Sequence, residues 1–360
     1  VEYFFPYVFT GYYDTEDCAT IVFNEVVAPA SIGANSIHFE NNYQRLSIES
    51  VLTRNGNRSI LSVRPYSQLL SDADNTLRIK SELTDTLSNP MLSDYEVYFR
   101  TANSYYTERS MIDDFMGTGA WQTPDFSGST AGIVASECVF GYSTTCYVPG
   151  TTFEAAKKKS AFIKYKWDVT ATTHLLREHI NASTPTTINI DTSYTIQCYL
   201  FGDGSQNLFN FSLYEYNADG SKTGDIIEVG PWRTIDWLGW KLVEWDLGDS
   251  AQVGDFISAG RNMNGHHYGL DGFLLRKGET AAINGQVFID ELRMIKRAIG
   301  QAPANNAPVL TALPDTSVTS GDQIRIYPKY TDQDTQDGHQ IVCLSDTSGV
   351  YFKIMGHTSG

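Results

Sequence analysis

The fold class of this chain is indicated by one stretch of sequence, WKLVEWDL at residues 240–247. Apolar and aromatic residues alternate there with a period of two, which is the side-chain repeat of a β-strand. Trp240 and Leu242 fall on one face of this strand, and Val243 and Trp245 fall on the other. Apolar residues on both faces indicate a strand that is covered on both sides. We therefore expect both tryptophans to be core residues.

Similar β-branched and aromatic runs recur along the chain, separated by turns rich in Gly, Asn, Asp and Ser. Asn55-Gly56 and Asp219-Gly220 favour two-residue hairpin turns. Helical periodicity is weak, and short helices are predicted only at residues 72–75 and 153–158. The clearest predicted strands lie at residues 20–23, 58–63, 76–80, 195–200, 209–214 and 287–290. The sequence therefore predicts an all-β protein built from sandwiches, with less than about a tenth of its residues in helices.

Length and charge narrow the possible functions. The chain has 360 residues, and its 26 Lys and Arg against 42 Asp and Glu give a net charge of −16. Such an acidic chain is unsuited to nucleic acid, because phosphate recognition needs clustered Lys and Arg. The sequence contains no apolar run near the ~20 residues of a membrane helix. We expect neither nucleic acid nor a membrane span among its interactions.

Two changes in composition suggest domain boundaries. A polar stretch interrupts the strand pattern near residue 105, and a run rich in Pro, Ala and Asn follows residue 299. The predicted domains are residues 1–105, 106–299 and 305–360, with a linker at 300–304. The last segment is short for a sandwich, and its final residues read as a strand without a partner. We therefore expect this chain to be a fragment of a longer protein.

The first domain carries two recognisable turns. One is Val27-Ala28-Pro29-Ala30-Ser31, and the other reads Leu83-Thr84-Asp85 followed by Ser88-Asn89-Pro90. Over about residues 14–100 the pattern resembles the bacterial Ig-like domain of surface-layer and secreted proteins, in which Gly usually stands at the position of Ser88. The resemblance implies an Ig-like sandwich that acts as a spacer.

The second domain carries an ordered set of motifs along most of its length. They are Ile112-Asp113-Asp114-Phe115, Leu200-Phe201-Gly202-Asp203-Gly204, Gly230-Pro231-Trp232, Val243-Glu244-Trp245-Asp246-Leu247 and Phe288-Ile289-Asp290-Glu291-Leu292. The set resembles the jelly-roll, carbohydrate-binding-module-like domain appended to secreted glycoside hydrolases and surface proteins. The resemblance implies a jelly-roll β-sandwich, a polysaccharide or cell-surface glycan as partner, and an extracellular or bacterial cell-surface location.

The last segment opens with Asn306-Ala307-Pro308-Val309-Leu310 and continues with Tyr330-Thr331-Asp332-Gln333-Asp334. This resembles the start of cadherin-like bacterial Ig repeats and implies a partial Ig-like or cadherin-like sandwich. Thr335 and Gln336 are inserted before Asp337-Gly338, which alters the spacing of the family's metal ligands.

Aromatic residues in turns are the candidates for sugar binding, because sugars stack their C–H faces on flat rings while polar side chains bond their hydroxyls. Trp232 and Trp237 lie in the turn-rich loop 231–239, and Trp121 also lies beside Pro and Asp. The alternative for each ring is core packing. The predicted carbohydrate-binding residues are Trp121, Trp232, Arg233, Asp236, Trp237 and Tyr268.

Two acidic groups are candidates for structural calcium, which binds about six to eight oxygen ligands. The candidate ligands are Asp113, Asp114, Asp290 and Glu291 in the second domain and Asp332, Asp334 and Asp337 in the last segment. The second-domain group is predicted on the first and last strands, which are neighbours in many jelly rolls. The alternative for both groups is ordinary surface carboxylates.

The five cysteines include no CxxC pair, which disfavours a zinc knuckle. Cys138 and Cys146 could bridge a hairpin or remain two thiols. The sequence also lacks a recognisable catalytic motif such as Gly-x-Ser-x-Gly. We therefore predict a non-catalytic, extracellular carbohydrate-binding fragment with Ig-like spacers. The alternatives are a structural or adhesive surface protein that assembles with other domains or subunits, and a polysaccharide-degrading enzyme.

Overall fold

The computed structural model describes most of the chain. The described residues are 1–5, 13–117, 121–124, 130–150, 158–180, 187–217, 219, 221–249, 267–300, 309–311 and 330–331. The chain divides into two compact units, residues 1–302 and 303–360. The predicted C-terminal strand and most of the predicted cadherin-like segment lie outside the described residues.

A first sandwich is built from the N-terminal strands. They are β1 (Tyr3–Phe5), β2 (Ala19–Phe23), β3 (Ile37–Asn41), β4 (Gln44–Arg45), β5 (Ile48–Asn55), β6 (Arg58–Pro65), β7 (Asp74–Ile79) and β8 (Tyr95–Arg100). One sheet has the order β1-β2-β6-β5 and the other β4-β3-β7-β8. Alternate side chains such as Ile21 and Leu61 from one sheet, and Phe39 and Leu77 from the other, form the core between them.

Of two local predictions made for this sandwich, a hairpin and a short helix, one is confirmed and one is wrong. The hairpin predicted at Asn55-Gly56 is confirmed, since Asn55 pairs with Arg58 and Gly56 has a φ of 60°. The helix predicted at residues 72–75 is wrong. β7 begins at Asp74, which pairs with Arg100 of β8, so cross-strand pairing prevails over a weak local helix tendency.

A second sandwich follows in the same compact unit. Its strands are β9 (Ser104–Asp113), β10 (Val139–Ser143), β11 (Ser160–Lys166), β12 (Leu175–His179), β13 (Thr187–Ile190), β14 (Thr195–Asp203), β15 (Leu208–Tyr216), β16 (Lys222–Val229), β17 (Arg233–Thr234), β18 (Leu238–Asp246), β19 (His267–Arg276) and β20 (Asn284–Ile299). Its inner sheet has the order β10-β11-β20-β14-β18, with β9 also paired to β20. Its outer sheet has the order β12-β19-β15-β16, with β13 paired to β19 and β17 paired to β15.

The all-β class is confirmed. In the described part of the chain the helical elements are two 3-10 helices of three residues, Pro29–Ser31 and Ala135–Glu137. The predicted helix at residues 153–158 lies, apart from Lys158, outside the described residues. No helix among the described residues is long and apolar enough to cross a membrane. In the second unit the structure describes the antiparallel pair β21 (Val309–Leu310) and β22 (Tyr330–Thr331).

The predicted alternation along β18 is confirmed. Val243 and Trp245 point into the core of the second sandwich, where Trp245 is fully buried. Trp240 and Leu242 point the other way, into an apolar cluster that joins the two sandwiches. Trp240 is therefore a core residue as expected, but the first sandwich provides part of its cover.

The cluster between the sandwiches is supported by hydrogen bonds. Its members are Cys18, Val22, Ile60, Cys146, Val148, Tyr199, Phe201, Trp240 and Leu242. The Thr20 hydroxyl donates to the Trp240 carbonyl at 3.0 Å, and the Leu242 N–H donates to the Asp17 carboxylate at 3.0 Å. Cys146 is a free thiol in this cluster, so the bridge considered between Cys138 and Cys146 does not form.

Candidate functional site

A cavity of about 360 Å³ lies at one end of the outer sheet. Part of its wall is a row of residues that are direct cross-strand neighbours. Leu175 of β12 pairs with Arg276 of β19, and Arg276 pairs with Leu208 of β15. Opposed residues on antiparallel strands point to the same face of a sheet, so all three reach the cavity together.

Short segments that flank β12 and β19 complete the wall. The lining residues are Thr172, Thr173, His174, Leu175, Leu208, Arg276, Lys277, Gly278 and Glu279. The Lys277 N–H donates to the His174 carbonyl at 3.4 Å, which links the two segments. The His174 ring is held in place by a hydrogen bond between its Nε2 and the Asp168 carbonyl at 2.7 Å. Two hydroxyls, an imidazole and three charged groups therefore surround the cavity.

Trp232 lies beside this row and is partly exposed. The Arg276 guanidinium stands over its ring, with 4.4 Å between the Cζ atom and the ring centroid. The indole packs against a buried apolar group that includes Val229 and Leu274. This packing fixes the ring, and the cation–π contact fixes Arg276 above it. An aromatic ring and hydrogen-bonding groups thus lie together at one end of the sheet.

A polar network continues on the same face, two residues further along β12. The Arg177 guanidinium forms a bidentate ion pair with the Asp271 carboxylate, with 2.9 Å between its Nε and one carboxylate oxygen. The Ser212 hydroxyl donates to that carboxylate at 2.7 Å, and Arg177 also donates to the Tyr214 hydroxyl at 2.6 Å. Since all four residues are buried, the network organises the interior of this face.

Sequence reasoning missed this network, although one signal pointed to it. Arg177 lies in a strand in which every residue is buried, and an arginine in such a strand needs a partner. Its partner, Asp271, is 94 residues away. Sequence alone could therefore flag Arg177 but could not identify Asp271.

Two of the predicted sugar-binding rings occupy core positions, and a third, Trp121, is partly exposed and packs against the core. Tyr268 is fully buried and Trp237 is 5% exposed, both within the core of the second sandwich. Trp121 stacks on Phe273 at 5.1 Å and donates its indole N–H to Asp113 at 2.8 Å. Burial leaves little ring surface of Tyr268 and Trp237 for a ligand.

The remaining predicted sugar-binding residues lie nearer the surface. Trp232 is partly exposed and contacts Arg276 of the cavity wall, and the side chains of Arg233 and Asp236 are exposed. Arg233 donates to the Glu244 carbonyl at 2.9 Å. Of the six predicted residues, Trp232 has the most direct connection to the cavity, through its contact with Arg276.

The acidic residues predicted on the first and last strands are occupied by other partners. Asp113 accepts the Trp121 indole N–H, and Asp114 accepts the backbone N–H of Met116 at 3.0 Å. Asp290 accepts the N–H of Val148 at 3.0 Å. Burial, reinforced by the charge of Glu291, raises the pKa of Asp290 well above its usual value.

Glu291 lies between two arginines. Arg64 contacts it at 2.8 Å and Arg293 at 3.1 Å. Burial alone would raise the pKa of Glu291, but these two cations outweigh it and keep the pKa below its usual value. The charge of Glu291 is therefore balanced by arginine, and a metal ion is not needed there for that purpose.

The described residues contain no group of three or more His, Cys, Asp and Glu side chains placed to hold a metal ion. Asp332, Asp334 and Asp337 lie outside the described residues, so calcium in that loop stays a prediction. A rise in melting temperature with millimolar Ca²⁺, reversed by a chelator, would support it.

Comparison with known proteins gives a family match for the first sandwich. Residues 10–101 match the bacterial Ig-like domain, which confirms the resemblance drawn from its turns. A search of curated proteins found no match for the chain.

Several solved carbohydrate-binding modules are similar to about half of the chain. A family 11 module of a cellulosomal cellulase from Clostridium thermocellum is 16% identical, with 53% of this chain and 96% of that chain covered and a TM-score of 0.34. A module that recognises mannan is 11% identical, with 55% and 100% covered and a TM-score of 0.27. A xylan-binding domain of family 22 is 12% identical, with 53% and 94% covered and a TM-score of 0.24. Matches at these scores do not assign a function.

Proposed function

We propose that the protein binds carbohydrate without cleaving it, in the cavity beside Trp232. The observation that carries this proposal is the combination of a fixed, partly exposed indole with a cavity of about 360 Å³ lined by hydroxyl, imidazole and charged groups. Ligand pockets of about 300–1,000 Å³ suit small ligands, and this one has room for a sugar unit.

The chemistry of the wall suits a sugar. Thr172 and Thr173 are exposed hydroxyls that can donate and accept hydrogen bonds. His174 and Arg276 add polar groups whose positions are already fixed by hydrogen bonding and stacking. A site fixed before binding loses less conformational entropy when the ligand arrives.

The charged groups favour binding over hydrolysis. Glycoside cleavage commonly uses two carboxyl groups about 5–10 Å apart. Among the described residues that line the cavity, Glu279 is the single carboxylate. We propose accordingly that the second sandwich is a binding module of an extracellular or cell-surface protein, and that the Ig-like sandwich supports it.

A glycan array that includes neutral and acidic polysaccharides tests this function. For the glycan that binds best, Trp232→Ala should lower affinity by about 1–3 kcal/mol, which is the scale of one lost aromatic anchor. Tyr43→Ala is the matched control, since Tyr43 is an aromatic side chain of the first sandwich with 85% exposure. Its removal should leave affinity unchanged.

Two results would overturn the proposal. One is the absence of binding by the wild type across the array, which would favour the structural or adhesive alternative. The other is unchanged affinity in a folded Trp232→Ala variant, which would move the binding site away from this cavity.

A further inference from the structure

We propose that the carbohydrate bound in this cavity is acidic, with carboxylate or sulfate groups on its sugar units. The inference rests on the proposed carbohydrate-binding function and specifies its substrate class. It follows from Arg276 and Lys277, two neighbouring cations in the cavity wall.

Most described cations in this protein are paired with carboxylates. Those with a carboxylate oxygen within 4 Å are Arg58, Arg64, Arg78, Lys80, Arg100, Arg109, Lys158, Lys166, Arg177, Arg293, Lys296 and Arg297. Pairing is expected, because the chain has 42 acidic residues and only 26 basic ones. The described exceptions include Arg45, Arg54, Lys159, Lys164 and Arg233, as well as Arg276 and Lys277, and the last two are the ones that line the cavity.

Arg276 and Lys277 are two adjacent exceptions. Within the described part of the chain, neither has a carboxylate within 4 Å, and the Arg276 guanidinium donates no hydrogen bond. The Lys277 ammonium has one weak contact, to the Gly278 carbonyl at 3.4 Å. Both side chains are only partly exposed, so water satisfies them less fully than it would at an open surface. Their donors are available to a ligand.

The stacking on Trp232 prepares Arg276 for this role. The ring holds the guanidinium at 4.4 Å from its centroid, and the N–H donors of a guanidinium form a planar fork. Those donors match the two oxygens of a carboxylate or a sulfate in a bidentate arrangement. The ring thus positions the cation, and the cation provides the contact for the acidic group of the sugar.

Glu279 does not cancel this preference. It is the one carboxylate among the described lining residues, and its side chain is exposed, so solvent screens its charge. The wall remains net positive within a protein of net charge −16. Because the whole protein repels polyanions, attraction to an acidic glycan must come from this local charge.

Affinity electrophoresis with matched polymer pairs tests the inference. The first pair is polygalacturonate and its methyl-esterified form, and the second is dextran sulfate and unmodified dextran. We expect the charged member of at least one pair to bind about tenfold more tightly than its neutral partner, the scale of a charge-assisted hydrogen bond. The pair that shows the difference identifies carboxylate or sulfate as the group.

Charge-removing variants localise the effect. Lys277→Gln should weaken binding of the preferred acidic polymer about fivefold or more, and it should narrow the difference in affinity between the charged polymer and its neutral partner. Lys164→Gln is the matched control, because Lys164 is an exposed lysine on the inner sheet. It makes the same change in net charge and should have no effect.

The negative results of these experiments distinguish failure of the acidic substrate class from failure of carbohydrate binding itself. Equal affinity for charged and neutral members, or binding to neutral glycans alone, would overturn the acidic class and leave carbohydrate binding intact. An equal loss in the Lys164→Gln variant would show a general charge effect and would also overturn the acidic class. No binding to any polymer here or on the array would overturn both proposals.

Discussion

The interface on the inner sheet of the second sandwich and the cavity at one end of its outer sheet differ in how their cations are partnered. On the inner sheet, which meets the Ig-like sandwich, Arg293 is 2% exposed and contacts both Glu16 at 2.8 Å and Glu291 at 3.1 Å. On the outer sheet, Arg276 and Lys277 border a cavity and have no carboxylate partner among the described residues. The comparison teaches that cations at the interface between the sandwiches serve folding, whereas the two at the cavity lack carboxylate partners among the described residues, as the proposed binding requires. Each of the predictions that follow can break or sharpen this contrast.

The largest effect is expected at the buried cation. Arg293→Met removes the positive charge between Glu16 and Glu291 and leaves both carboxylates buried with fewer partners. Breaking one side of a buried ion pair costs about 3–5 kcal/mol. Urea unfolding of the variant and the wild type measures the difference.

Arg100→Met provides the matched control for that substitution. Arg100 pairs with Asp72 and Asp74, but its side chain is 46% exposed, so this loss should cost at most about 1 kcal/mol. Equal losses from the two variants would show that the buried network carries no special stability. The contrast between the interface and the cavity would then lose its energetic basis.

The next largest effect concerns Glu178, a buried acid of the outer sheet without a cation. Among the described residues, neither of its carboxylate oxygens has a hydrogen-bond partner. Burial raises its pKa from 4.5 to about 9. Between these two values the native state keeps a proton that the unfolded state releases, so stability falls as the pH rises.

Glu178→Gln removes that proton linkage. The variant should gain stability over the wild type as the pH rises above 4.5, by at most about 1.4 kcal/mol for each pH unit, while the two should converge in acid. Unfolding at about pH 5 and about pH 8 measures the change in this difference. Comparing the two proteins at each pH cancels other acids such as Asp17, whose pKa burial raises to about 7. A difference that does not change with pH would show that Glu178 keeps an ordinary pKa.

A smaller effect is expected where the two sandwiches approach closely. Gly239 has a φ of 92°, and a Cβ atom there would lie 2.4 Å from Cγ2 of Thr20 in the Ig-like sandwich. Gly239→Ala should therefore cost about 1–3 kcal/mol through overpacking. Gly56→Ala is the control, since Gly56 also has a positive φ, of 60°, but has no atom within 4 Å of the added Cβ. Equal losses would assign the effect to backbone strain alone.

The fold was more predictable from sequence than the site was. The alternation in β18 correctly separated the faces of Trp240 and Trp245, because strand periodicity is local. The cover over Trp240 includes Cys18 and Ile60 of the Ig-like sandwich, which lie far away in sequence. A periodic pattern shows that a face is covered, but it does not show by what.

One irregular turn shows why a family pattern can persist without its usual residue. Ser88 stands where the bacterial Ig-like domain usually has Gly, and its φ is 68°. Asp85 accepts hydrogen bonds from the N–H groups of Leu87 and Asn89, both at 2.8 Å. These bonds hold the turn in a conformation that costs Ser more than Gly.

The sugar-binding predictions depended on residues in loops. Whether a loop side chain is buried is harder to predict from sequence than the alternation along a strand. Trp237 lies in a turn-rich segment, yet the chain folds its ring over Gly202, where an added Cβ would approach the indole nitrogen to 2.8 Å. Trp232, five residues earlier in the same loop, remains partly exposed beside Arg276. Tertiary packing buries one ring and leaves the other partly exposed, a difference that the composition of the loop does not predict. That no described carboxylate pairs with Arg276 or Lys277 is likewise visible only in three dimensions.

The smallest effect on stability is expected at Lys277. Its ammonium makes no ion pair in the described part of the chain, so the native state gains little from its charge. Lys277→Gln should therefore change the free energy of unfolding by no more than about 0.5 kcal/mol, the usual range for surface substitutions. Urea unfolding at neutral pH measures this alongside Arg293→Met. A loss of several kcal/mol would show that Lys277 is needed for folding, and the contrast between the cavity and the inner-sheet interface would then fail. A negligible change, with weaker binding of an acidic polymer, would separate the two uses of charge: Arg293 for the fold and Lys277 for the ligand.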